Sequence, residues 1–168
     1  FNIGSIYKAI AIYGESAQYY ELYAQNHPKH NATLLKRALA RAATYRRSLG
    51  EYEKAVKNYV MFFKRFSDDA KAPMVFFDIG LIYESQKNWK KLISHYNKYL
   101  KSYAKTAPMA HVITAHTKMG IAYWRMKKKR KQALAEFAKA LELFAEMKAK
   151  AKEGGKALEL TVMAADAV

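Results

Sequence analysis

The stretch Leu49-Gly50-Glu51-Tyr52-Glu53-Lys54-Ala55-Val56-Lys57-Asn58-Tyr59-Val60-Met61-Phe62-Phe63-Lys64-Arg65-Phe66 decides the fold. Leu49-Gly50 punctuates the chain. Behind it, Tyr52, Ala55, Val56, Tyr59, Phe62, Phe63 and Phe66 recur at steps of three and four, the spacing that lines one face of a helix. Phe76, Ile79, Gly80 and Tyr83 form a second such stripe, and Leu134, Phe137, Ala138, Leu141 and Phe144 a third. No segment sustains the alternation of a strand. Further breaks fall at Gly14, Asn26 to His30, Ser67 to Pro73, Asn88, Thr106 to Pro108, the basic run Arg125 to Lys131, and Gly154-Gly155. Seven or eight helices joined by short turns are expected.

Composition agrees. In 168 residues there are 7 Gly and 3 Pro but 28 Ala, which argues against all-β and loop-rich folds. The 51% of apolar residues excludes a disordered tail. No apolar run approaches the roughly 18 residues of a membrane span, and no targeting segment opens the chain. Cysteine is absent, so disulfides, thiolate metal sites and a cysteine nucleophile are excluded. A soluble chain follows, with cytoplasm and bacterial cell envelope both open.

The helices repeat. A small residue is followed three positions later by Tyr at Gly4 and Tyr7, Gly80 and Tyr83, and Gly120 and Tyr123. A second helix then supplies trios of packing residues: Ser16, Tyr20, Tyr23; Ala55, Tyr59, Phe62; Leu92, Tyr96, Tyr99; and Ala133, Phe137, Ala140. This pattern is similar to the tetratricopeptide repeat, W-x2-L-G-x2-Y followed by A-x3-F and P. Leu49 to Ala55 is the clearest match, and Pro28 closes the first unit. The sequence departs from the family at Ala43 and Arg46, which replace Gly and Tyr. Key positions Gly4, Ala43, Gly80 and Gly120 lie further apart than the 34 residues of the family repeat, and the fourth turn needs one inserted residue.

The resemblance implies an all-α, right-handed superhelical solenoid of antiparallel helix pairs. About four units would cover 1–30, 31–70, 71–107 and 108–153, forming one domain with a trailing helix at 156–168. Phe1 enters mid-helix and the last segment ends without a polar capping face, so a longer parent array is expected. The family's ligand-facing positions, carried over, fall on Lys8, Arg37, Arg41, Thr44, Arg47, Phe77, Leu81, Lys118, Ile121, Trp124 and Arg125. Met74, Asp78 and Glu84 stand among them. Asn2, Arg37 and Arg41 occupy part of the family's clamp for a terminal carboxylate.

The reactive chemistry of an enzyme is missing from the pattern. His27 and His30 flank a Pro-Lys pair, and His111 and His116 are five apart, off the spacing that puts two metal ligands on one helix face. Asp68-Asp69 suits a helix cap. No phosphate-cradling loop or nucleophile motif occurs. No catalytic residue, metal or cofactor is assigned. With 30 Lys and Arg against 14 Asp and Glu the formal charge is +16. The expected function is a non-enzymatic scaffold that takes an acidic peptide or partner helix in a concave groove. Its charge would come from Arg37, Arg41, Arg47, Lys118 and Arg125, and its apolar anchor from Phe77, Leu81 and Trp124. The alternative is a basic helical repeat binding nucleic acid through its backbone, and a third possibility is an anionic membrane surface.

Overall fold

The computed structural model describes residues 1–127 and 129–153. Among these residues are eight α-helices and no strand: α1 (Asn2–Ala9), α2 (Tyr13–Asn26), α3 (Ala32–Ser48), α4 (Tyr52–Arg65), α5 (Ala72–Ser85), α6 (Trp89–Tyr103), α7 (Met109–Arg125) and α8 (Arg130–Glu153). The chain gathers into two compact units, Phe1–Ile82 and a second beginning at Tyr83. In the first, α1 packs on α2, α2 on α3 and α3 on α4; in the second, α6 packs on α7 and α7 on α8. The helix expected at 156–168 lies outside the described residues.

Three turns share one construction. The N–H groups of Ile12, Glu51 and Asn88 bond five residues back, to the carbonyls of Tyr7, Arg46 and Tyr83. The preceding N–H groups, of Ala11, Gly50 and Lys87, bond three residues back, to Lys8, Arg47 and Glu84. This is the Schellman pattern that satisfies orphan carbonyls at a helix end. It needs a left-handed residue, and φ is 57° at Ala11, 76° at Gly50 and 53° at Lys87. Only one of the three turns has the residue that tolerates this conformation best. Tyr7, Arg46 and Tyr83 are therefore equivalent positions, six residues before α2, α4 and α6 begin. Tyr123 precedes α8 by seven, which is the inserted residue of the fourth turn.

Two sequence boundaries move. Gly14 lies inside the first turn of α2, so the break falls earlier, at Ala11. Arg130 and Lys131 open α8 instead of belonging to the turn. Asn31 and Asn88 cap α3 and α6 by accepting from the N–H groups of Leu34 and Lys91 at 3.0 and 3.2 Å. Asp69 accepts from the Lys71 N–H at 2.9 Å, an Asx turn that precedes α5 and not the bond to a helix N–H that capping by the Asp pair requires.

The expected packing trios are interior. Ser16, Tyr20, Tyr23, Ala55, Tyr59, Phe62, Leu92, Tyr96 and Tyr99 are all buried, as are Ala133 and Ala140, while Phe137 is half-buried. Each large side chain taken fully from water contributes on the order of 1.5–3 kcal/mol. Gly4 and Gly120 allow the close approach. A Cβ on Gly4 would stand 3.0 Å from the Tyr20 ring, and one on Gly120 would stand 2.5 Å from the Phe137 ring. In the second unit Ile113, Ala140 and Met147 extend this contact, with Met109, Leu143 and Phe144 packed against them.

Candidate functional site

In the first unit most of the predicted ligand-facing residues lie on α3, whose polar face presents Arg37, Arg41, Thr44 and Arg47. Arg37 is exposed, its guanidinium 5.6 Å from the centre of the Phe1 ring. Arg41, one turn on, is half-buried and donates to the Tyr20 hydroxyl at 3.0 Å. That hydroxyl also lies 3.1 Å from Ser5 Oγ of α1. Thr44 is exposed and turns its hydroxyl back onto the Ala40 carbonyl. Arg47 stands 3.9 Å from a carboxylate oxygen of Asp78 on α5. The other oxygen accepts from Tyr59 at 3.2 Å. Burial, with the Asp78 charge beside it, pushes the Tyr59 pKa up to about 12, so the phenol stays a donor. Lys8 is exposed on α1.

The apolar part divides. Phe77 is 6% exposed and belongs to the interior. Leu81 is half-buried, and Met74, one turn before Asp78, is the exposed apolar side chain of α5.

Arg46, in place of the repeat's Tyr, is 7% exposed and reaches both oxygens of Glu21 on α2, at 3.0 and 2.7 Å. It also pairs with Glu51 at the start of α4, and Asn58 of α4 donates to Glu21 at 2.7 Å. The two-pronged guanidinium fits carboxylates better than any other cation. Its pKa is raised, first by the Glu21 hydrogen bonds, and the Glu51 carboxyl is lowered by Lys54 and then Arg46. Lys36 pairs with Asp69 in the same unit and holds that carboxyl below its usual range. Glu21 lies 25 residues from Arg46, so no helical spacing connects them.

In the second unit Lys118 of α7 bonds Glu84 at 2.9 Å. Ile121 is half-buried, whereas Trp124 and Arg125 at the end of α7 are exposed, Trp124 at 49%. Two depressions meet at this indole. One, of about 580 Å³, is lined by Ile121, Trp124, Arg125, Leu134 and Phe137. The other, of about 430 Å³, is lined by Trp124, Met126, Lys127, Lys129, Arg130 and Lys131. The Arg130 guanidinium lies 4.8 Å from the Trp124 ring centre. Among the described residues, Arg125, Lys127, Lys129 and Lys131 pair with no acidic side chain.

Among the described residues no three or more His, Asp or Glu converge as a metal site would require. His116 pairs with Glu136 at 2.7 Å between α7 and α8, and His30 with the Tyr23 hydroxyl at 3.1 Å. No helix of the described residues is long and apolar enough to cross a membrane.

No protein-family model and no curated protein matches the sequence. Solved structures do. The fold is similar to BtubC (BKLC) from P. vanneervenii, with a TM-score of 0.68 and 16% identity over 86% of this chain. That match spans 61% of BtubC, so the chain covers less than two thirds of its length. It is similar to MamA from Desulfovibrio magneticus RS-1, with a TM-score of 0.60 and 19% identity over 86% of this chain and 73% of that one. It also resembles nearly identical TPR-like repeats from Podosopora anserina, at a TM-score of 0.59 and 13% identity over 99% of this chain and 82% of that one. At these identities the likeness is one of fold. The architecture is an all-α helical repeat of the tetratricopeptide type.

Proposed function

We propose, with the tetratricopeptide-type fold as premise, that the protein is a non-enzymatic scaffold that captures acidic peptide segments on the helix faces carrying Lys8, Arg37, Arg41, Thr44 and Arg47 in one unit, and Lys118, Ile121, Trp124 and Arg125 in the other. The observation that carries this reading is the accessibility of cations on those faces: Lys8, Arg37 and Arg125 are exposed. Such groups attract an acidic partner and accelerate its encounter, with an effect that weakens as salt screens it. Asp78 and Glu84 temper two of the cations, Arg47 and Lys118, so a partner's carboxylate competes with an internal one there. Leu81, half-buried, and Met74, exposed, add apolar area in the first unit.

Nucleic-acid binding through stacked bases is less well supported. The aromatic residues that would supply stacking platforms are largely interior, Tyr20, Tyr59, Tyr96, Tyr99 and Phe62 among them.

The test uses fluorescent peptides rich in Glu, titrated by anisotropy. Capture is expected to weaken as salt rises from about 50 to about 300 mM. A variant with Arg37→Glu and Arg125→Glu, both exposed, is expected to lose capture while its circular dichroism stays helical. Undiminished capture by that variant sinks the proposal.

A further inference from the structure

We infer that the Trp124 corner of the second unit is a two-compartment socket for an acidic peptide in which a large apolar side chain stands just before a short run of Asp or Glu. The inference rests on the scaffold reading above and deepens it. It draws on residues of α8 and the α7–α8 turn that the repeat pattern assigns to no ligand: Lys127, Lys129, Arg130, Lys131 and Leu134.

The geometry supplies the chemistry. The indole borders one depression whose other lining residues are Ile121, Arg125, Leu134 and Phe137. It also borders a second, lined by Met126, Lys127, Lys129, Arg130 and Lys131. Neither compartment is filled from within the described chain. Trp124 and Leu134 stay 49% and 60% exposed, an uncommon state for two large apolar side chains lining one hollow. The first acidic residue after this turn is Glu136, and His116 already engages it. The cation compartment therefore lacks an internal counter-charge among the described residues, which distinguishes it from Arg46, Arg47 and Lys118.

Trp124 lines both hollows and the Arg130 guanidinium sits 4.8 Å from its indole centre, so the compartments adjoin. Neighbouring residues of an extended peptide, roughly 3.3 Å apart along the chain, can reach both. An apolar side chain at one position and carboxylates from the second position onward would fill both. Concavity selects this occupant over an anionic bilayer. A bilayer accepts apolar side chains that project from a protein, whereas Leu134 and Trp124 here border a hollow that accepts a projecting group. Burying the indole under the incoming side chain also strengthens its contact with Arg130, because desolvation raises the cation–π attraction.

The experiment titrates the full chain with a fluorescent decapeptide holding one Phe followed by Glu residues. Two controls accompany it, one with Phe replaced by Ala and one with Glu replaced by Gln. Both controls are expected to bind at least tenfold more weakly. Trp124→Ala is expected to cost at least tenfold, with Trp124→Phe recovering most of it, and Lys127→Glu with Lys131→Glu to flatten the salt dependence. Helical circular dichroism and an unchanged thermal midpoint certify each variant. Suppose the Ala control binds as well as the parent peptide while Arg125→Glu still abolishes capture. That outcome overturns the socket and leaves the scaffold reading standing. Failure of every acidic peptide to bind overturns both. Sedimentation with phosphatidylserine vesicles in the absence of peptide binding overturns the socket in favour of a lipid surface.

Discussion

In the first unit, Lys36, Arg46 and Arg47 each meet a carboxylate from a different helix or turn, and Arg41 meets the Tyr20 hydroxyl. In the second, among the described residues, Lys118 of α7 meets one, while Arg125, Lys127, Lys129 and Lys131 are exposed and meet none. Their helix pairs differ to match. The pair α3 and α4, with α2 beside it, is tied by a buried ionic cluster at Arg46, whereas α7 and α8 close by bringing Phe137 onto Gly120. Charge of one sign thus does two jobs. Where cations are matched by acids it fixes which helices pack together, and where they are unmatched it remains for a partner. A total of +16 does not distinguish these uses.

Removing Arg46 should have the largest effect. Arg46→Ala strands the Glu21 carboxylate between α2, α3 and α4 with only Asn58 to satisfy it. Breaking a buried pair from one side costs about 3–5 kcal/mol, and the partial exposure of Glu21 puts this case at roughly 3 kcal/mol. Urea denaturation should show that loss. Arg46→Tyr, which restores the repeat's usual residue, should be nearly as destabilising alone and should recover most of its loss when combined with Glu21→Gln. A change below about 0.5 kcal/mol in Arg46→Ala, the usual range for a surface site, would remove the contrast between the units.

The apolar side of the contrast is tested at Gly120. Gly120→Ala places a Cβ 2.5 Å from the Phe137 ring. Overpacking costs about 1–3 kcal/mol, while Ala gains up to about 1 kcal/mol of helix propensity, so a net loss near 1 kcal/mol is expected. Phe137 is half-buried and its ring has room to move, which is why the loss is smaller than at Arg46. Phe137→Leu should suppress the penalty of Gly120→Ala in a double-mutant cycle. Additive effects would show that the ring does not set the helix separation.

These contrasts were unevenly visible in the sequence. Apolar spacing, the Gly-to-Tyr interval and the packing trios are local signals, and they put Tyr20, Tyr59, Tyr96 and Tyr99 inside and Trp124 outside. The inserted residue before α8 was also legible, because it displaces a periodic pattern. Phe77 was misplaced as an anchor, since a helix position facing a ligand and one facing a neighbour differ by a small rotation that spacing does not resolve. Arg46 was the plainest loss. Sequence presented it as a departure from the repeat, and its meaning depends on Glu21 and Asn58, which lie in other helices. The hollow beside Trp124 was hidden for a related reason: Leu134 is a stripe residue by pattern, and only the placement of α7 against α8 leaves it uncovered.

The smallest expected effects concern the turns, where the two units are built alike. Gly50 in the first and Lys87 in the second both stand in the left-handed region, with matching hydrogen bonds on either side. Glycine takes that backbone without a Cβ penalty, whereas an ordinary residue spends about 1 kcal/mol or more to hold it. Gly50→Ala should therefore cost about 1 kcal/mol, although no atom lies within 4 Å of the added Cβ. Lys87→Gly should stabilise the protein by about 0.5–1 kcal/mol, the strain released less the extra entropy glycine carries in the unfolded chain. The two substitutions have opposite signs for a single reason, so they test the turn geometry without touching the core. If both proved destabilising by similar amounts, Lys87 would have to contribute through its side chain, and the two turns would no longer be equivalent.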